Sequence, residues 1–545
     1  MKGTGAHLRR WALVLLVFSE VLQGQRSPLC PAENTGLESF KLLNGATAEK
    51  HQIETMAGGV AVIDFDGDGL PDLFFTNGAP QPSLKKTAAH ANRLFRNKGK
   101  LQFEDVTAKS GLAGEGFSMG AAVADYDNDG FADLFVAGVG GNHLYRNRGT
   151  GTFEDVTAQA GIPAAHWPVA AGWFDYDRDG RLDLFIVNYV KWDPAKEPFC
   201  GDKKAGYRSY CHPQFYEGLP NTLLHNNGDG TFSDVSVRAG IAQHIGKGMG
   251  VAFADADGDG LLDIFVTNDT TPNFLFRNKG DGTFEEIGLK AGIAMNDDGR
   301  ALSSMGVDFR DIDNDGRPDA FVTALINETY PLYKNLGKNL FLDITYPSKI
   351  GMATLPWSGW GTGIFDFDND GRKDIFVANG DVQDNTEVYS SRKSRQPNAV
   401  LLNRPAGFVA AITGTPALHR GAAFADFEGN GGIGAVVTRL NETPVLYRNC
   451  AENGNHWIGL RLRGSWSNRD SIGAQVEIET DAGKQFNHAT TSVGYASASS
   501  KAVHFGLGKA TKVKRIAITW PSGLKLELRD QAVDRYLDVV EPSRR

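Results

Sequence analysis

At 545 residues the chain exceeds the roughly 100–200 of one ordinary domain, so it holds several domains or a repeat array. With 41% hydrophobic and 22% charged residues, disorder over most of its length is excluded. A net charge of −9 with no basic stripe argues against nucleic acid, and 65 glycines without a collagen period point to many tight turns between short strands.

The first 24 residues read as an export signal. Lys2, Arg9 and Arg10 precede an apolar run, Trp11 to Phe18, and a polar stretch ends at Gly24. That run is about half of what a bilayer span requires, so cleavage is expected and a retained anchor is the alternative. Cys30 follows Ser27-Pro28-Leu29, which is no lipobox, and no second long apolar run follows. The mature chain is therefore expected to lack a transmembrane segment and to be secreted or periplasmic.

One unit then recurs: a run of small apolar residues, an acidic loop DxDxDGxxD, an apolar strand, and later a block like LYRNxGxGTFEDVTxxAGI. The loops start at Asp64, Asp125, Asp175, Asp255, Asp311 and Asp366, with a degenerate seventh at Asp426. Starts lie 61, 50, 80, 56, 55 and 60 residues apart, the long interval holding an insertion between Cys200 and Cys211. Such periods, with about four short strands each, suit the blades of a propeller. Runs such as SMGAAVAD and GMGVAFAD carry the small residues that an innermost strand needs where blades crowd the axis. The expected fold is all-β: a seven-bladed β-propeller over 37–450, then a small β-sandwich-like domain over 451–545. Residues 37–57 are expected to supply the outer strand that closes the ring.

Each loop places carboxylates at positions 1, 3, 5 and 9, and alternate residues of a tight loop point inward together. The expected ligands are Asp64, Asp66, Asp68 and Asp72; Asp125, Asp127, Asp129 and Asp133; Asp175, Asp177, Asp179 and Asp183. They continue with Asp255, Asp257, Asp259 and Asp263; Asp311, Asp313, Asp315 and Asp319; Asp366, Asp368, Asp370 and Asp374. Position 7 is expected to offer its backbone carbonyl, at Leu70, Phe131, Arg181, Leu261, Arg317 and Arg372, which leaves its side chain free to vary. Gly at position 6 permits the positive φ of the turn. An EF-hand would carry Glu at position 12 between helices; here Phe75 and Val136 stand there and a strand follows. About six Ca2+ are expected. Losing residues 1–24 moves the net charge from −9 to −11, and six divalent ions would bring it close to neutral. The seventh loop has Glu428, Asn430 and Gly434 where aspartates should stand and is expected to keep its shape without metal.

Four cysteines suit an oxidising compartment and allow three pairings. Cys200 and Cys211 are the natural local pair, leaving Cys30 with Cys450; free buried thiols are the alternative.

The repeats resemble the FG-GAP/VCBS repeats of integrin-α propellers, and most closely those of the cartilage-acidic-protein-like family. Residues 451–545 carry Asn468, Ile472-Gly473-Ala474, Gly494-Tyr495-Ala496-Ser497, HFGLG at 504–508 and WPSG at 520–523. That order resembles the ASPIC/UnbV domain, although the GYASASS stretch departs from the larger apolar residue and Gln usual there. Alternating runs such as IGLRLRG and KRIAITW, with turns at Gly483 and Ser522-Gly523, read independently as a compact β domain. His504 and Trp520 are expected to pack within it.

No GxSxG, HExxH, P-loop or CxxC is present, and the histidines show no metal-ligand spacing. Trp167, Trp173, Trp357 and Trp360 fall near inner-strand starts, where they pack between blades or line a funnel at the axis. Asn268, Asn327 and Asn441 lie in N-x-T sequons. The reading is a non-catalytic, extracellular, calcium-binding protein acting in binding or adhesion, with a glycan or protein partner. The alternative is a secreted enzyme with its site in the central funnel.

Overall fold

The computed structural model describes residues 26–164 and 167–543; the expected signal peptide lies outside the described residues. Short runs rich in Val, Ile and Phe, broken by Gly and Asp turns, fold into seven successive four-stranded antiparallel sheets. Blade 1 runs outward from Val60–Ile63 through Asp72–Phe75 and Arg93–Asn97 to Phe103–Asp105. The inner strands of blades 2 to 7 are Phe117–Ala124, Pro168–Phe174, Gly248–Ala254, Val307–Arg310, Gly359–Phe365 and His419–Ala425. Each lies against the next and the seventh returns to the first, which closes the ring of a β-propeller.

Ring closure differs from the expectation. Residues 37–57 form no strand, only the short 3-10 turns Leu37–Ser39 and Gln52–Thr55. The rim of blade 7 is instead Leu29–Pro31, paired antiparallel with Val445–Asn449. Three residues ending in Pro carry no alternation by which a strand could be recognised. The Cys30–Cys450 disulfide fastens this closure, and Cys200–Cys211 closes the insertion in blade 3.

Aromatic rings fill the interblade spaces. Phe174 stacks on Phe253 with centroids 4.3 Å apart, and Tyr126 stacks on Trp173 at 5.8 Å. Fully burying one such side chain contributes about 1.5–3 kcal/mol, so side-chain packing holds one sheet to the next where no strand pairing can.

Beyond Cys450 the chain forms a two-sheet unit. His456–Arg463 lies between Val503–Gly508, antiparallel, and Arg535–Val540, parallel. Gln475–Thr480, Gly483–His488, Lys512–Thr519 and Lys525–Ala532 form the second sheet. Ile458, Leu460 and Leu462 share one core with Val476, Ile478, Ile516 and Trp520, the arrangement expected of a β-sandwich.

Candidate functional site

The acidic loops of blades 1 to 6 share one hydrogen-bond scheme. The position-1 carboxylate accepts from the position-6 glycine N–H: Asp64 from Gly69 at 3.1 Å, Asp125 from Gly130 at 2.8 Å, Asp311 from Gly316 at 2.7 Å. The position-5 carboxylate accepts from the N–H of position 7, as Asp68 does from Leu70 and Asp259 from Leu261, both at 2.9 Å. The position-9 carboxylate is buried and uses both oxygens: Asp72 accepts from Phe65 N–H at 3.2 Å and Asn97 N–H at 2.7 Å. Gly69 and Gly130 have φ of +83° and +102°, as the turn requires. Position 4 is left-handed too, at Gly67, Asn128, Arg178, Gly258, Asn314 and Asn369, which accounts for the Gly and Asn there.

Carboxylate oxygens converge in these turns. Those of Asp64, Asp66 and Asp72 lie within 4.8 Å of one another, as do those of Asp125, Asp127 and Asp133. In blades 3 and 4 the converging sets are Asp175, Asp177 and Asp179, and Asp255, Asp257 and Asp259. Oxygens about 2.4 Å from a common calcium ion stand up to about 4.8 Å apart, so these all-oxygen groups fit one hard cation. Burial, with neighbouring carboxylates adding, pushes Asp72 and Asp263 up to about 8 and Asp319 and Asp125 up to about 7. A cation in the loop relieves that penalty.

Two recurring side chains escaped the sequence reading. In five of these blades a cation near the end of the third strand reaches over the loop to positions 3 and 5. Arg96 meets Asp66 at 2.7 Å and Asp68 at 3.4 Å, Arg146 meets Asp127 and Asp129 at 2.7 and 3.2 Å, and Arg277 meets Asp257 at 2.7 Å. Lys334 and Arg404 do the same in blades 5 and 6. In blade 3 the group is His225, 3.5 Å from Asp177 and 3.2 Å from Asp183. The loops of blades 1, 2, 4, 5 and 6 thus carry a resident counter-charge, and their carboxylates repel one another less than a count of aspartates implies. The second is the Asn of the RN pair, which clasps the preceding blade. Asn147 donates to Phe65 O at 2.8 Å, Asn226 to Tyr126 O at 2.9 Å and Asn335 to Ala256 O at 2.8 Å. Both were visible as the recurrent RN of LFRN and LYRN. Position-7 side chains are also not indifferent: Arg181, Arg317 and Arg372 donate to the carbonyls of Asn226, Asn335 and Asn403 and pair with the position-5 carboxylate.

The C-terminal domain sits on the face that carries these loops. Asp470 accepts from Asp125 N–H at 2.8 Å, and Gln475 donates to Asp255 at 2.9 Å. Residues 491–500 enter the axis of the ring and meet every blade. Ala498 N–H donates to Val60 O, Ala121 N–H to Ala496 O, Gly494 N–H to Val307 O and Ser500 N–H to Phe424 O. A Cβ on Gly172, in blade 3, would lie 2.3 Å from Ser492 Oγ, and Gly250 of blade 4 faces Gly494 O. Gly494 itself, at φ +85°, leaves no room for a side chain against Thr362 O of blade 6. Tyr495, fully buried, packs at 5.0 Å on Trp360, with Met119, Met249, Met305 and Trp167 in the same cluster. Arg420, also buried, lies 4.0 Å over the Trp360 ring and donates to the carbonyls of Thr55, His419 and Asp381.

The axis is therefore filled where a funnel was the alternative seat of chemistry. Trp167 and Trp360 reach it; Trp173 packs between blades 2 and 3, and Trp357 packs against a cluster joining blades 5 and 6. On the opposite face the Cys200–Cys211 insertion bridges from blade 3 to blade 6. Tyr210 donates to Glu54 at 3.0 Å and exchanges two hydrogen bonds with Gln383. Trp520 packs within its own domain as expected; His504 stacks on Trp457 of that domain with centroids 6.0 Å apart and also reaches out of it, its Nε2 lying 2.9 Å from Gly431 O in the blade-7 loop. Asn268 is buried, while Asn327 and Asn441 are exposed on turns. No helix among the described residues is long and apolar enough to cross a membrane.

The FG-GAP-like repeat family matches residues 64–136, 125–186, 215–266 and 255–322, and the ASPIC and UnbV family matches 464–545. Human cartilage acidic protein 1 is 27% identical over 320 residues, covering 56% of this chain and 46% of that protein. The Xenopus tropicalis protein is 27% identical over 329 residues, covering 57% and 47%. The match thus spans less than half the length of these relatives. Among solved structures, an Agrocybe aegerita lectin specific for non-reducing terminal N-acetylglucosamine aligns with TM-score 0.38 and 18% identity, over 71% of this chain and 86% of its own. BBS1N, solved in complex with ARL6DN, aligns with TM-score 0.43 and 11% identity, over 78% and 98%. The chain is built of FG-GAP-like repeats followed by a C-terminal ASPIC and UnbV domain, and its homologues are named cartilage acidic protein 1.

Proposed function

We propose that this chain is a secreted, calcium-binding repeat protein that acts in extracellular binding or adhesion, with a protein or glycan partner and no catalysis of its own. Residues 1–24 are the export signal, 37–450 together with the rim strand Leu29–Pro31 the propeller, and 451–545 the C-terminal domain. The observation that carries the reading is one carboxylate-lined turn repeated in six blades, with oxygens in blades 1 to 4 gathered closely enough for a single hard cation. Asp at positions 1, 3, 5 and 9 and the carbonyl at position 7 take the ion, from Asp64–Asp72 in blade 1 to Asp366–Asp374 in blade 6. Two disulfides suit an oxidising compartment. The filled axis leaves the outer surfaces of the propeller and its partner domain as the ground for recognition.

Metal analysis and calorimetric titration of chelated protein test the first half, with about six calcium equivalents per chain expected. Purified protein with no divalent metal and an unchanged melting midpoint in EDTA overturns it. A binding screen over extracellular proteins and glycans, run beside a panel of hydrolase and lyase substrates, tests the second. Turnover of any substrate overturns the non-catalytic reading.

A further inference from the structure

A cavity of 430 Å³ opens between the C-terminal domain and the loops of blades 7, 1 and 2, within the range of about 300–1,000 Å³ usual for small-ligand sites. Four cations reach it: Arg461, Arg463, Arg469 and Lys501. Arg461 and Arg463 flank Leu462, whose side chain enters the sandwich core, so both side chains leave the strand on its other face from backbone positions about 6.6 Å apart. Neither closes an ion pair among the described residues. Arg461 lies 4.6 Å over the Tyr536 ring, and Asp538, its cross-strand neighbour, stays outside pairing distance. Lys501 pairs with Asp470 and keeps 48% of its side chain open, while Arg469 stands 3.6 Å from Asp125.

The carboxylates of the lining are already engaged. Asp426 accepts from Asn430 and Gly431 N–H and from Tyr536, and Asp470 from Lys501 and Asp125 N–H. Asp64 and Asp125 are position-1 residues of blades 1 and 2, whose charge a divalent ion takes up. What remains is the positive charge of Arg461 and Arg463, beside hydroxyls at Ser500 and Tyr536. Guanidinium forks match carboxylate and sulfate oxygens two at a time. The volume exceeds that of a bare oxyanion, and the lining joins these polar groups to apolar walls at Leu70, Phe131 and Ala502, a mixture that suits the hydroxyls and C–H faces of a sugar ring.

We propose that this cavity binds an acidic saccharide, with its sulfate or carboxylate between Arg461 and Arg463 and its hydroxyls toward Ser500 and Tyr536. This names a ligand for the binding role proposed above and rests on calcium occupying blades 1 and 2. The test is calorimetry on the full mature protein in saturating calcium. The probes are a heparin hexasaccharide, a hyaluronan hexasaccharide, a neutral malto-oligosaccharide and inorganic sulfate at matched ionic strength. One or both acidic oligosaccharides should bind at least about tenfold more tightly than the neutral one or sulfate. R461Q/R463Q, on an exposed strand face, should lose about tenfold or more at an unchanged melting midpoint, as expected when charge-assisted hydrogen bonds are removed. K525Q/R529Q, outside the cavity, should bind as wild type does. Heparin alone binding assigns a sulfate site, and hyaluronan binding as well assigns a carboxylate. No acidic oligosaccharide binding, sulfate binding equally well, equal affinity of wild type and R461Q/R463Q, or equal loss in K525Q/R529Q overturns the proposal. Failure of the calcium reading shows separately, as a melting midpoint that chelation does not move.

Discussion

The loop of blade 1 and the loop of blade 7 have the same backbone and different fillings. In blade 1 the turn holds Asp64, Asp66, Asp68 and Asp72 under Arg96. In blade 7 it holds Asp426, Glu428 and Asn430, has Gly434 at the closing position, and is covered by Trp457, His504 and Tyr536 of the C-terminal domain. Yet Gly431 N–H still donates to Asp426 at 2.6 Å, and Gly432 N–H to Asn430 at 2.9 Å, as their counterparts do in blade 1. The turn is thus shaped by its own hydrogen bonds, and the fourth carboxylate is not needed for it. Where charge is missing, packing from the neighbouring domain covers the loop. A Cβ on Gly431 would strike the Trp457 ring, so that glycine answers to both turn and interface.

Chelation is expected to have the largest effect, because it acts on blades 1 to 6 together and should spare blade 7. A site held at a hundred times its Kd contributes about 2.7 kcal/mol, and the loss is read from melting curves with and without EDTA. Next comes the packed part of the contrast. Tyr495→Ala should cost about 3–5 kcal/mol in denaturant titration with calcium stoichiometry unchanged; a loss under about 1 kcal/mol would mean that the segment in the axis is not a structural element. Within single loops, Asp127→Asn should remove one calcium equivalent by calorimetry, whereas Asp426→Asn should remove none. Equal stoichiometry in the two variants would erase the distinction between the loops.

Protons sharpen the same contrast. Asp72, Asp263 and Asp319 are raised by burial from the ordinary carboxylate value of 3.8 to about 8, 8 and 7. Without calcium the folded chain therefore binds protons more tightly than the unfolded one, and stability falls as pH rises from about 4 through 8. In calcium the ion must displace those protons, so apparent affinity should weaken as pH drops from about 8 to 6. A calcium affinity flat over that window would show that these carboxyls are ionised before the metal arrives. The smallest effect belongs to Tyr536→Phe, which removes a 3.1 Å hydrogen bond to Asp426 and should cost about 0.5–1.5 kcal/mol with no change in calcium binding.

The loops were legible because their signals are local. Gly at position 6 and alternating Asp within nine residues report a turn whatever surrounds it, and small residues before each Asp report crowding at the axis. Arg96 and Arg146 were missed because a lone basic residue on a strand reads as a solvated side chain; only the fold lays it over a loop some thirty or twenty residues upstream. Tyr495 was noticed only as part of the segment that carries the resemblance, and nothing near it in the chain said that it would be buried among Trp360 and Met119.

By itself, then, the sequence determined the repeated blade, the seven turns, the local Cys200–Cys211 pair and an alternating C-terminal domain, since periodicity and turn chemistry act over a few residues. Only the tertiary structure decided that Leu29–Pro31 finishes the ring, that residues 491–500 fill its axis, that His504 faces blade 7, and that two arginines without an ion pair among the described residues border a cavity. These depend on surfaces hundreds of residues apart meeting when the ring closes, and no local pattern encodes which surfaces those are.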